Sequence, residues 1–168
     1  MSDTPLKPIA REGVPAALEK AQRYRLLNEP AQAESIYRDV LAAEEKNQEA
    51  LRGLVLALTD QLGGTAGPAA GLEARETIRR LGDEYDREYF TGILWERETR
   101  AYLERPGILR SGAFEGFRRA MDAYARAEAL RRPPANVDAV LRWNSCVRAI
   151  ERERLTPDDD RRNELPLE

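Results

Sequence analysis

Apolar residues return every three or four positions along most of the chain, the spacing of helices that each bury one face. Ala17, Leu18, Ala21 and Tyr24 keep this spacing behind Pro15, which suits a first helical turn, and predict a helix from about Pro15 to Asn28. A second begins at Pro30 and carries Ala33, Ile36, Tyr37, Val40 and Leu41 to about Glu44. With only Asn28 and Glu29 between them, the two helices form an antiparallel hairpin. Asn47 can cap a third helix, whose stripe is Leu51, Leu54, Val55, Leu58 and Leu62, ending at Gly63-Gly64. Composition predicts a nonhelical connection over residues 63–71, GGTAGPAAG, and then a short helix from Leu72 to Leu81 carrying Ala74, Ile78 and Leu81. The fifth helix runs from about Asp83 to Leu103 with Tyr85, Tyr89, Ile93 and Trp95, stopped by Arg105-Pro106-Gly107. Ser111 can cap the sixth, where Phe114, Phe117, Met121 and Tyr124 run beside Ala113, Ala120 and Ala127 as far as Arg131, before Pro133-Pro134. Asn136 can cap the seventh, in which Val140, Trp143, Val147 and Ile150 are expected to bury one side.

The β-branched alternation of strands is missing, and the reading is all-α with about seven helices. Sliding the chain by 34 residues places Ala16 on Ala50, Ala17 on Leu51, Ala21 on Val55 and Tyr24 on Leu58. A helical hairpin repeated at that period cannot bury its apolar face alone and calls for stacked copies. Ala33-Glu34, Ile36-Tyr37 and Val40-Leu41 resemble the second-helix pattern of the tetratricopeptide repeat family; Tyr89, Gly92 and Trp95 resemble its first-helix positions, and Ala120, Tyr124 and Ala127 its alanine-aromatic-alanine spacing. The resemblance covers residues 14–62 and 85–154, and residues 136–154 look like an unpaired closing helix. It implies antiparallel hairpins stacked as a short right-handed solenoid, with first helices lining a groove for a peptide or protein segment. The organisation expected is an N-terminal extension over residues 1–13, a repeat domain over 14–154 and an acidic tail over 155–168.

Charge narrows the chemistry. Lys plus Arg is 27 and Asp plus Glu is 30, so the net charge of −3 gives no field that favours nucleic acid or an anionic membrane. The tail holds Asp158, Asp159, Asp160, Glu164 and Glu168 against Arg161 and Arg162, a sum equal to that whole −3. Thr156-Pro157 before the three aspartates is a helix-start signal. Histidine is absent, which excludes Ser-His-Asp and Cys-His catalysis and the commonest transition-metal ligand. Cys146, the single cysteine, cannot form an intramolecular disulfide; with no apolar core of signal-peptide length in MSDTPLKPIAREG, a cytoplasmic protein is expected. The acidic triplet lacks the glycine and terminal glutamate of a calcium loop, and residues 63–71 lack the Lys-Ser/Thr of a phosphate loop. Neither a metal nor another cofactor is expected.

On the solenoid reading, Gln22, Arg25, Arg52, Asp60, Tyr89, Arg97, Arg142 and Arg148 turn toward the groove, and Arg52, Tyr89, Arg97, Arg142 and Arg148 are the candidate partner-binding residues. Guanidinium forks suit carboxylates, hence an acidic protein or peptide partner; the plainer alternative for each arginine is a solvated helix face. The family's carboxylate clamp is missing, because Leu18, Gln22 and Gly53 stand at the corresponding places. Trp143 is expected in the core, Asn144 on a neighbouring helix's polar group, and Cys146 as a small buried residue. Glu44-Glu45, Asp83-Glu84 and Asp158 to Asp160 could serve acid-base chemistry, but nothing selects one pair. The expectation is a nonenzymatic scaffold or adaptor; the alternatives are a self-associating structural module, hence a homo-oligomer, and an enzyme with a carboxylate-based site.

Overall fold

A computed structural model describes residues 4–65, 67–105, 110 and 112–157. Among them are seven α-helices and no strand: α1 (Val14–Leu26), α2 (Pro30–Ala43), α3 (Gln48–Thr59), α4 (Gly67–Arg79), α5 (Glu84–Leu103), α6 (Ala113–Leu130) and α7 (Asp138–Glu153), with a 3-10 turn, Arg11–Gly13, leading into α1. Ser111 and the tail from Asp158 lie outside the described residues. No described helix is long and apolar enough to cross a membrane.

Local chemistry sets the boundaries. Asn28 takes a left-handed φ of 59°, and the Glu29 amide donates to the Tyr24 carbonyl, so α1 ends and the chain reverses into α2 at Pro30. The Asn47 side chain accepts from the Ala50 amide at the start of α3, and Asp83 accepts from the Tyr85 amide at the start of α5. At the other end, Arg154 is left-handed at φ 52° and the Leu155 amide donates to the Ile150 carbonyl, which stops α7 and tucks Leu155 into the core.

Two expectations change. Residues 67–71 are the first turn of α4, not a connection. Pro68 sits where a missing amide hydrogen costs nothing, and a β-carbon on Gly67 would collide with the Leu62 backbone, so the glycine admits a close approach that composition had read as a breaker. On α7 the buried residues are Ala139, Cys146 and Ala149 rather than the larger stripe. Trp143 is 37% exposed, Val140, Val147 and Ile150 are half-buried, and Asn144 makes no hydrogen bond among the described residues. Small side chains at Ala139, Cys146 and Ala149 let α7 lie close on its neighbours, α6 above all, and the bulky residues flank the contact.

Each helix packs on the next, and α1 also touches α3, α3 touches α5, and α5 touches α7. The odd-numbered helices therefore form one row; α2 and α4 are linked by the Arg38–Glu73 ion pair. One apolar cluster runs through the array from Val14 to Leu155. The bonds between successive hairpins recur at a fixed offset: Arg52 to Asp86 and Gln48 to Gly82 are 34 residues apart, Arg25 to Asp60 and Arg38 to Glu73 are 35. Between α5 and α7 the offset grows to 45 and 46, because α5 and α6 are 20 and 18 residues long.

Candidate partner-binding face

Asp86, Tyr89, Ile93, Arg97 and Arg100 follow one another on α5 at spacings of three or four, which puts them on a single stripe. That stripe meets α3 on one side and α7 on the other. Arg52 of α3 donates to Asp86 at 2.9 Å; from α7, Arg142 reaches Glu96 at 3.4 Å, and Ser145 Oγ accepts from Arg100 at 3.1 Å. Of the five candidate residues, Arg52, Tyr89, Arg97 and Arg142 are brought to this face. Arg148, six residues beyond Arg142 and roughly a third of a turn round the helix, is exposed and finds no carboxylate among the described residues.

Arg97 is anchored within the protein. Its Nη1 donates to Thr59 Oγ1 and Asp60 Oδ1, each at 2.6 Å, and to the Leu56 carbonyl at 3.2 Å. Asp60 takes Arg25 of α1 on its other oxygen at 2.8 Å, so one carboxylate ties α1, α3 and α5 together. Burial holds the Arg97 pKa below its ordinary value against the pull of Asp60, and the positive charges of Arg142 and Arg25 add to the lowering. For Arg142 burial also works against the charge, but Glu96, Tyr124 and Tyr89 carry its pKa above the usual one.

Glu96 escaped the sequence reading. It is 2% exposed and accepts from Tyr124 Oη at 2.7 Å, from Arg100 at 3.0 Å and from Arg142. A buried carboxylate needs this many donors, since leaving one unpaired costs several kcal/mol. Burial, then Glu96, pushes the Tyr124 phenol well above its usual range, and the same pair of causes pushes the Cys146 thiol up to about 12. Asn136 also joins α7 to α5: its Oδ1 accepts from Tyr85 Oη at 2.8 Å, and more distantly from the Ala139 amide. The helix itself starts at Asp138, two residues past the expected cap. Tyr85 stacks on Tyr89 with centroids 5.7 Å apart, and Phe90 lies edge-on to Tyr89.

The charges are layered. The Arg52, Arg100 and Arg142 side chains are 40, 31 and 34% exposed, whereas Asp86 and Glu96, the acids they hold, are 11 and 2% exposed. Guanidinium groups thus face solvent with the carboxylates beneath them. No family model, curated protein or solved structure matches the chain. Trp95 occupies the opposite side of α5, its ring held between Arg75 of α4 at 4.8 Å and Arg119 of α6 at 4.9 Å. A shallow apolar hollow of about 310 Å³ adjoins it, lined by Thr99, Tyr102, Ala113 and Gly116 among others. Among the described residues no group of three or more His, Cys, Asp or Glu side chains is placed to hold a metal ion.

Proposed function

We propose that this protein is a nonenzymatic scaffold or adaptor: a short right-handed solenoid of tetratricopeptide-like hairpins that takes an acidic segment of a protein partner across the row α1–α3–α5–α7. The observation that carries the reading is the layered charge of that row, with Arg52, Arg100 and Arg142 outermost over buried Asp86 and Glu96. An exposed guanidinium with its own acid on one side keeps N–H groups for a second carboxylate, and Tyr89 between Arg52 and Arg142 offers a ring for packing. The offsets of 34 and 35 residues support stacked equivalent hairpins. Arg97, with three internal acceptors, serves the row's own geometry.

Affinity capture with the wild type and Arg52→Gln/Arg142→Gln in parallel, both checked for equal helicity, tests this. A partner held by the wild type and lost by the variant supports the reading. Partners retained by both would refute it. Self-association is a second reading, favoured by Val137, just before α7, and Leu141 on it, which are 54 and 59% exposed. A mass above one chain by light scattering, returned to monomer by Leu141→Glu, would establish it.

A further inference from the structure

In a stacked helical array the terminal helix carries a polar outer face, because no further unit covers it. The outer face of α7 is instead largely apolar. At about 100° per residue, the side opposite the buried Ala139, Cys146 and Ala149 carries Val137, Val140, Leu141 and Val147 around Asn144. Val137 and Leu141 are exposed, and Val140 and Val147 are half-buried. Asn144 stands at the centre of this stripe, half-buried and with no hydrogen bond among the described residues. A lone amide in the middle of an apolar stripe is how paired helices fix their register, each amide answering the other. The charges at one edge of the stripe also lack partners: Asp138 and Arg148 make no ion pair among the described residues. At the opposite end of the array, by contrast, Glu19 and Arg23 of α1 pair with each other at 2.7 Å.

We propose that α7 pairs antiparallel with α7 of a second copy about a two-fold axis at Asn144, each amide donating to the other's carbonyl oxygen. This names the partner in the self-association reading and rests on that reading. In this register Leu141 stands level with Val147 of the second copy, and Val140 level with the aliphatic stem of Arg148. Asp138 and Arg148 lie on the same edge of the stripe, and the two-fold brings each Asp138 within about 3 Å, along the axis, of Arg148 of the other copy. Two such pairs form, and the antiparallel helix dipoles compensate each other. The contact also closes on itself, whereas stacking of α7 on α1 of another copy would leave a free end at every step and run on into fibres. A helix of 16 residues is about 24 Å long. A pair of that size covers less than the ~800 Å² per partner of a standard interface, so the dimer is weak, with a Kd of about 10–100 μM.

The test is site-directed cross-linking in full-length Cys146→Ala protein, comparing Asn144→Cys with Glu151→Cys and Leu27→Cys. Two copies of Asn144 meet on the axis, within reach of a disulfide, whereas two copies of Glu151 stand about 21 Å apart along it. Leu27 is exposed just past α1, at the other end of the array. Under mild oxidation at about 100 μM chain, near the expected Kd, Asn144→Cys should form a covalent dimer about tenfold faster than either control. Sedimentation equilibrium of the otherwise native chain should show a dimer weakened about tenfold by Asp138→Arg or by Arg148→Asp, and restored to within about twofold by the two together. Cross-linking as fast at Glu151 or Leu27, charge changes that leave the dimer unmoved, or a swap that fails to restore it would overturn α7 pairing while leaving self-association in place. A monomer at about 1 mM, well above that Kd, would overturn both. Circular dichroism checks that each variant folds; should a charge variant not fold, the cross-linking comparison decides.

Discussion

Gly92→Ala probes the packing that holds the candidate face in register. In an exposed helix interior this substitution gains about 1 kcal/mol from propensity. Here the added methyl would stand 2.5 Å from Tyr124 Cε1 and 2.6 Å from Cδ1, about 1 Å inside ordinary carbon–carbon contact. The ring has nowhere to go: Tyr124 is 0% exposed and its hydroxyl is bonded to Glu96 at 2.7 Å. Overpacking of this kind costs about 1–3 kcal/mol, and loosening the bond to a buried carboxylate adds about 1–3 kcal/mol. Set against the propensity gain of about 1 kcal/mol, these leave a net loss of about 1–5 kcal/mol, lowering the melting temperature by ~2–20 °C for a chain of this size. Urea and thermal unfolding followed by circular dichroism at 222 nm provide the assay, with Gly13→Ala, where nothing lies within 4 Å of the added methyl, as the control. Repeating the substitution on Tyr124→Leu should cut the penalty below about 1 kcal/mol, since the pair is directly coupled. Gly92→Ala as stable as the wild type would refute the reasoning.

Asp60→Asn removes the charge shared by Arg25 and Arg97. At about one-fifth exposure for each group, a loss of about 1–3 kcal/mol is expected, partly offset by relief of a carboxylate at the C-terminal end of α3. Denaturant midpoints at low and high salt check this, and the gap should narrow with salt. For Cys146 the thiol pKa of about 12, raised by burial, keeps the thiolate scarce at pH 8. Alkylation of the native protein there should run at the global unfolding rate or slower, and a stoichiometric fast reaction would contradict the buried placement. Because burial raises its pKa, this thiol favours the folded state below the ordinary cysteine value near 8.5, and that contribution is lost as pH rises from there toward about 12.

The helices were legible because Leu51, Leu54, Val55 and Leu58, or Phe117, Met121 and Tyr124, leave little choice of face. Where small residues do the packing, the same rule fails. Gly67, Gly71 and Pro68 look like a loop until Leu62 is brought beside them, and Ala139, Cys146 and Ala149 are outweighed in any hydrophobic scale by Trp143 and its neighbours. Arg52 and Arg142 could be turned toward the row on the repeat reading. Their acids could not, since Glu96 looks like one more surface glutamate until Tyr124 and Arg100 surround it. A signal was nonetheless present: Arg52 and Asp86, like Arg25 and Asp60, are opposite charges one repeat apart.

An array of stacked hairpins is expected to unravel from its ends, because each unit answers only to its immediate neighbours. Asp60 marks where that unravelling should pause. If the first hairpin peels away, Arg25 leaves and the carboxylate passes wholly to Arg97, so the tie between α3 and α5 survives. Fraying at the N-terminal end is thereby confined to the first hairpin, and hydrogen exchange in α1 should rise ahead of that in α5.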